Sequence, residues 1–148
     1  LSSVFGYLAK KDFTDLKMPY IQISKLVECV DDPKSKYYNK LVSRNKINSK
    51  KDIDWTSSEK MFNSGIYYEL GVIVDHNCCP NNNDYGSCIF LHNWAEPDET
   101  TAGCTAMAPQ KMKKIVLWLD KTKFPILVQL TKSIYSEKST LWNLPIIK

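Results

Sequence analysis

The chain has 148 residues, 43% of them hydrophobic, and a net charge of +4; that is enough to bury one core without staples and too little for a second independent domain, so residues 1–148 are expected to form one domain. No apolar run approaches the roughly 18 residues of a membrane span. Basic residues are scattered, and the densest stretch, Arg44 to Lys51, has no adjacent aromatic ladder, which argues against nucleic-acid binding.

The chain begins at Leu1, and removal of an upstream export or tag segment is expected. Residues 19–30 carry period-2 and β-branched character, which predicts one or two strands or a bent one before Asp31-Asp32-Pro33 breaks the pattern. Residues 34–64 are polar and punctuated by Asn and Ser, predicting a long irregular connection with a short helix. From Ile66 to Asp75 the apolar run predicts a central strand. An Asn-rich turn, Asn77 to Gly86, separates it from a second apolar run, Cys88 to Leu91, with His92 at its exit. Beyond Met107 the period changes: Met112, Ile115, Val116 and Leu119, with Pro109 in the first turn, predict an amphipathic helix over about 109–120. Phe124-Pro125 then leads into a further expected strand, residues 126–130.

Five cysteines and two histidines are present, with no Cys-x-x-Cys pair and no zinc-finger spacing, so neither a metal nor another cofactor is called for. An odd cysteine count in an exported protein leaves one free thiol. Cys104 is expected to be that thiol, with Cys29, Cys78, Cys79 and Cys88 paired in one of three connectivities.

The chemistry concentrates in Gly86-Ser-Cys-Ile-Phe-Leu-His92 and Thr101-Ala-Gly-Cys-Thr-Ala-Met107. Gly103 beside Cys104 allows a close approach of substrate to the backbone. A helix N-terminus nearby favours thiolate, and a histidine can move the proton. Backbone N–H groups from Gly103 to Thr105 are candidate oxyanion donors. Against this stands the ordinary role of a lone cysteine as a small buried hydrophobe.

The two segments resemble the signature of the L,D-transpeptidase (YkuD-type) catalytic domain, in which a histidine precedes a Ser/Thr-x-Gly-Cys turn holding the nucleophile. Here these are His92 and Thr101-Ala-Gly103-Cys104. The same order of blocks continues outside the motif: Asp32-Pro33 with Tyr38-Asn39-Lys40-Leu41, Trp55 with Ser58-Glu59-Lys60-Met61, Gly71 to Asn77, Trp118-Leu-Asp120 with Pro125 to Leu130, and Trp142-Asn-Leu-Pro145. The likeness is clearest over residues 26–146. It implies a mainly β fold, two mixed sheets packed together with a helix.

It further implies a peptidoglycan enzyme of the periplasm or cell exterior, expected to be monomeric and to need no cofactor. Cys104 would be the nucleophile and His92 its base, oriented by a backbone carbonyl, with Gly103 and Thr105 in the oxyanion turn. Thr101, Asn93, Trp94 and Tyr85 are candidate substrate contacts, while Asp75 and His76 end the preceding strand, His76 reading as a solvated loop residue. Transpeptidation of stem tetrapeptides, L,D-carboxypeptidation, crosslink cleavage and a silent wall-binding role all stay open. Two departures bear on substrate recognition: Ala106 stands where many relatives have arginine, and Asn93-Trp94 where glycine commonly follows the histidine.

Overall fold

A computed structural model describes residues 1–147. In chain order its strands are β1 (Val4–Gly6), β2 (Tyr20–Gln22), β3 (Val27–Val30), β4 (Lys40–Ser43), β5 (Ser58–Glu59), β6 (Leu70–Ile73), β7 (Phe90–Asn93) and β8 (Thr105–Met107). Two helices follow, α1 (Pro109–Trp118) and α2 (Lys132–Lys138), and short 3₁₀ turns join several strands. A five-stranded mixed sheet runs β2-β1-β6-β7-β8, its outer pairs parallel and its inner pairs antiparallel. The second sheet, β4-β3-β5, is antiparallel. This is the expected mainly β architecture of two sheets and a helix.

Alternation along the strands sorts the core into layers. Val4, Leu70, Val72 and Leu91 face one side of the large sheet and pack against Met112, Val116 and Leu119 from α1 and the residue after it. The next residue along β1, Phe5, and the residue before Leu91, Phe90, face the other side. There they meet Val27 and Cys29 of the small sheet and Met61 and Tyr68 of the 3₁₀ segment Met61–Tyr68. On the outer face of the small sheet, Val30, Val42 and Trp55 form a third cluster.

One row crosses the large sheet on its inner face: Phe5 opposite Gly71, Gly71 opposite His92, His92 opposite Ala106. Glycine is required at position 71, because a Cβ there would lie 2.3 Å from Phe5 Cζ and 2.6 Å from the Leu91 carbonyl oxygen. The Phe5 ring fills that space and meets Phe90 and Tyr68 edge-on at 5.3 and 5.4 Å between centroids.

Several expectations need correcting. The predicted strand 66–75 shortens to Leu70–Ile73, since the 3₁₀ segment reaches Tyr68 and Gly65 kinks it at φ 54°. Residues 34–64 are more ordered than expected: they hold β4 and β5, and Asp32 ties the stretch down by accepting from the Lys34 and Thr56 N–H groups and the Thr56 hydroxyl. The expected strand 126–130 does not form. Phe124 turns left-handed, Ile126 is exposed, and the segment meets β8 through the Gln129 side chain on Thr105 Oγ1 at 2.6 Å. Helix α1 ends at Trp118 because Leu119 becomes extended and buries its side chain against Met112 and Val116.

The cysteine expectation holds only in part. Cys104 is free, but so are the exposed Cys78 and Cys79, and a single disulfide, Cys29–Cys88, joins the two sheets. The adjacent thiols stand in the Asn-rich loop, Cys78 lining the same hollow as Cys29 and Cys88. The loop is instead held by Asn39, whose Nδ2 donates to the His76 and Asn77 carbonyls and whose Oδ1 accepts from the Cys88 N–H.

Candidate active site

His92 is not at the exit of its strand but the third of the four residues of β7, and it is buried. Its partner across β8 is Ala106, while Leu91 pairs with Thr105. One step back along both strands brings Cys104 level with Phe90, whose N–H points at Cys104 Sγ at 3.3 Å. Cys104, one residue before β8, thus lies two residues from His92 along β7, and its Sγ also donates to the Cys88 carbonyl at 3.6 Å. Cys104 and His92 both line a cleft of about 920 Å³ between the sheets.

The imidazole is held in one tautomer. Nδ1 lies 2.6 Å from the Asn93 carbonyl oxygen, which can only accept, so Nδ1 carries the hydrogen and Nε2 keeps its lone pair. Tyr67 and Tyr68 both set their rings edge-on to His92, at 6.3 and 5.4 Å. Successive residues of a strand would point to opposite faces; the 3₁₀ turn that replaced the expected strand brings both rings to the same histidine.

Cys104 is half-buried, and burial pushes its thiol above the ordinary value of 9.0; the Phe90 N–H pulls it down and the Glu59 carboxylate pushes it up again. A helix N-terminus does not assist, because β8 stands between the cysteine and α1. Gly103 adopts φ 133°, a conformation side chains rarely allow. Thr101 closes the turn, donating from its hydroxyl to the Cys104 carbonyl at 2.6 Å and accepting from the Gly103 N–H at 3.4 Å.

The remaining sequence candidates scatter. Thr101 lines the cleft, but Thr105, Asn93, Trp94 and Tyr85 do not. The Thr105 hydroxyl accepts from Gln129. Asn93 is buried: its Nδ2 braces the Ile66 carbonyl and its Oδ1 lacks a partner. The Trp94 N–H bonds Met107, and Tyr85 stands exposed, its carbonyl bonded to His76 Nε2 at 2.7 Å. His76 and Asp75 also lie outside the cleft.

In their place come residues the pattern did not single out: Tyr67 and Tyr68, and the carboxylates Asp31, Glu59, Asp98 and Glu99. Among the described residues no lysine or arginine lines the cleft. Tyr68 donates its hydroxyl to Glu59, and Tyr67 donates to Glu99 at 3.0 Å. Among the described residues no group of three or more His, Cys, Asp or Glu side chains is arranged to hold a metal ion, and no helix is long and apolar enough to cross a membrane.

Neither the curated proteins nor the solved structures give a significant match to the chain. A family model does: YkuD, the L,D-transpeptidase catalytic domain, over residues 22–128. That span contains His92, Cys104 and every strand of both sheets from β3 onward, and the chain belongs to the YkuD L,D-transpeptidase catalytic-domain family, whose substrate is peptidoglycan.

Proposed function

We propose that the protein is a peptidoglycan L,D-transpeptidase that works through a thioester on Cys104. The observation that carries this reading is a free thiol and a histidine lining one cleft, the histidine with its Nδ1 fixed on the Asn93 carbonyl so that Nε2 is left to act as the base. Nε2 takes the thiol proton and sulfur attacks.

Attack falls on the carbonyl of the third residue of a stem tetrapeptide. The oxyanion is met by backbone N–H groups of the turn around Cys104. His92 passes its proton to the departing D-alanine nitrogen, which leaves as the C–N bond breaks and the thioester forms. The amine of a second stem then displaces sulfur and creates the crosslink. Water in that role would give L,D-carboxypeptidase activity. A disulfide joining the sheets suits an oxidising, periplasmic or extracytoplasmic setting, and the whole chain acts as one catalytic domain.

Mass spectrometry of products from stem tetrapeptide muropeptides tests this with wild type and Cys104→Ala. Wild type should release D-alanine and form crosslinked dimers, and the variant should form neither, a loss of at least about 10³-fold. Release of D-alanine without dimers would make the enzyme a carboxypeptidase. Equal products from both proteins would exclude the thioester.

A further inference from the structure

Forming the crosslink takes two protons from the acceptor nitrogen. The amine arrives as an ammonium ion, as primary amines are at neutral pH, and must lose one proton to become a nucleophile. After attack on the thioester carbonyl the nitrogen of the tetrahedral intermediate carries a positive charge and loses a second. The C–S bond then breaks. His92, neutral again after protonating the first leaving group, can carry only one of these protons, from the tetrahedral nitrogen to the departing sulfur. The other goes either to bulk solvent before the amine binds or to a second base within the cleft.

We propose that Glu59 is that base, receiving the first proton of the incoming ammonium. The assignment rests on the acyl-transfer reading above and adds to it a catalytic residue for the second half-reaction. Strand register aims the side chain: Glu59 pairs with Cys29, whose sulfur reaches across to Cys88, two residues before β7 of the large sheet, so both project into the space between the sheets. There Glu59 lines the same cleft as Cys104 and His92. Its Oε1 accepts the Tyr68 hydroxyl, and its Oε2 has no hydrogen-bond partner among the described residues. Among the other carboxylates of the cleft, Glu99 is engaged at both oxygens by Tyr67 and the Ala95 N–H, and Asp98 is exposed. Asp31 also accepts a single hydroxyl, from Ser57, but it is the Glu59 charge that acts on Cys104.

Charge supports the same assignment. The chain carries 20 lysines and arginines and a net charge of +4, yet among the described residues the cleft has four carboxylates and no lysine or arginine, a setting that draws in a cation. Around Glu59 stand Tyr68 from the 3₁₀ segment, Asp31 from the end of β3, and Cys104 with His92 from the large sheet. Burial raises the proton affinity of Glu59, which suits a base acting on an ammonium. The same carboxylate opposes ionisation of Cys104. A group that hinders the first half-reaction is explained by use in the second.

The test separates the two half-reactions. Muropeptide tetrapeptide serves as donor and acceptor; intact-protein mass follows the acyl-enzyme, and product mass follows crosslinked dimer against hydrolysed tripeptide, across pH. In wild type the rate of dimer formation from the acyl-enzyme should rise through one carboxyl titration above 4.5 and then level off. Glu59→Gln should form the acyl-enzyme at least as fast. Its dimer formation should be about a hundredfold slower at neutral pH and climb about tenfold per pH unit toward the amine's own pKa.

A wild-type dimer rate that itself climbs in that way, with no plateau, overturns the assignment even if the variant fails to fold. So does a Glu59→Gln protein with the wild-type ratio of dimer to acyl-enzyme at every pH. Absence of an acyl-enzyme on wild-type Cys104 would instead remove the acyl-transfer reading on which the assignment stands.

Discussion

On β3 and β5 two glutamates stand one register step apart and face opposite ways. Glu28 points to the outer side of the small sheet, 2% exposed, and is met by Arg44, Lys60 and the Ser58 hydroxyl. Burial pushes its carboxyl up, but those donors outweigh burial and bring it down to about 2. Glu59 points inward, receives one hydroxyl and no cation, and is pushed above its ordinary 4.5 by burial, with Asp31 adding to the rise. The same residue type on neighbouring strands thus serves as a saturated structural anchor in one place and an unneutralised charge in the other. Strand parity decides which, because it selects the face on which the side chain emerges.

That contrast can be broken most strongly at Cys29, next to Glu28 in the chain and opposite Glu59 on the inner face. Replacing Cys29 and Cys88 together by Ala removes a link that spans 59 residues of chain and should cost about 4 kcal/mol in denaturant unfolding. Since the disulfide lies on the Glu59 side, cleft-dependent turnover should fall with it, while Glu28 keeps its partners.

A smaller effect is expected from Glu28→Gln. Both cations are substantially exposed, Arg44 39% and Lys60 51%, so solvent screening limits the loss to roughly 1–2 kcal/mol at neutral pH. Because the folded carboxyl titrates at about 2 and the unfolded one near 4.5, this contribution is whole above 4.5 and fades as pH falls toward 2. Wild type and variant should therefore converge in unfolding free energy at acid pH; a gap that stays constant would show that the charge is not the cause.

The smallest change in stability belongs to Glu59→Gln, less than about 1 kcal/mol and toward greater stability. Here the sign reverses. A carboxyl raised in the fold binds its proton more readily than in the unfolded chain, so its contribution to stability falls as pH rises above 4.5. The variant should lose that dependence, and iodoacetamide should label its Cys104 at lower pH than in wild type. An unchanged alkylation profile would separate Glu59 from the thiol.

Much of this site is legible in the residues themselves. His92, Gly103 and Cys104 announce themselves through a small-residue turn and a histidine at the end of an apolar run, and the run beyond Pro109 has the period of a helix. What escapes is whatever depends on a side chain's direction across two sheets. Tyr67 and Tyr68 read as part of a strand because they are apolar and adjacent to Leu70, yet Gly65 bends the chain so that both reach His92. Glu59 sits in a stretch with no periodicity, and a two-residue strand is too short to show which way it faces. Asn93 and Trp94 stand next to His92 in sequence, yet Asn93 meets the histidine through its carbonyl oxygen and Trp94 does not line the cleft. The three-residue β1 left no pattern at all.

That first strand has a consequence for how the protein can be cut. The likeness to the family begins at residue 22, but β1 lies inside the large sheet, hydrogen-bonded to β2 on one side and β6 on the other. A fragment trimmed to the recognisable region would strip β6 of its neighbour, leave the hollow over Gly71 without the Phe5 ring, and expose a raw sheet edge open to pairing with other chains. Where resemblance stops and where the folding unit stops are different places in this molecule, and an excised piece should begin before Val4.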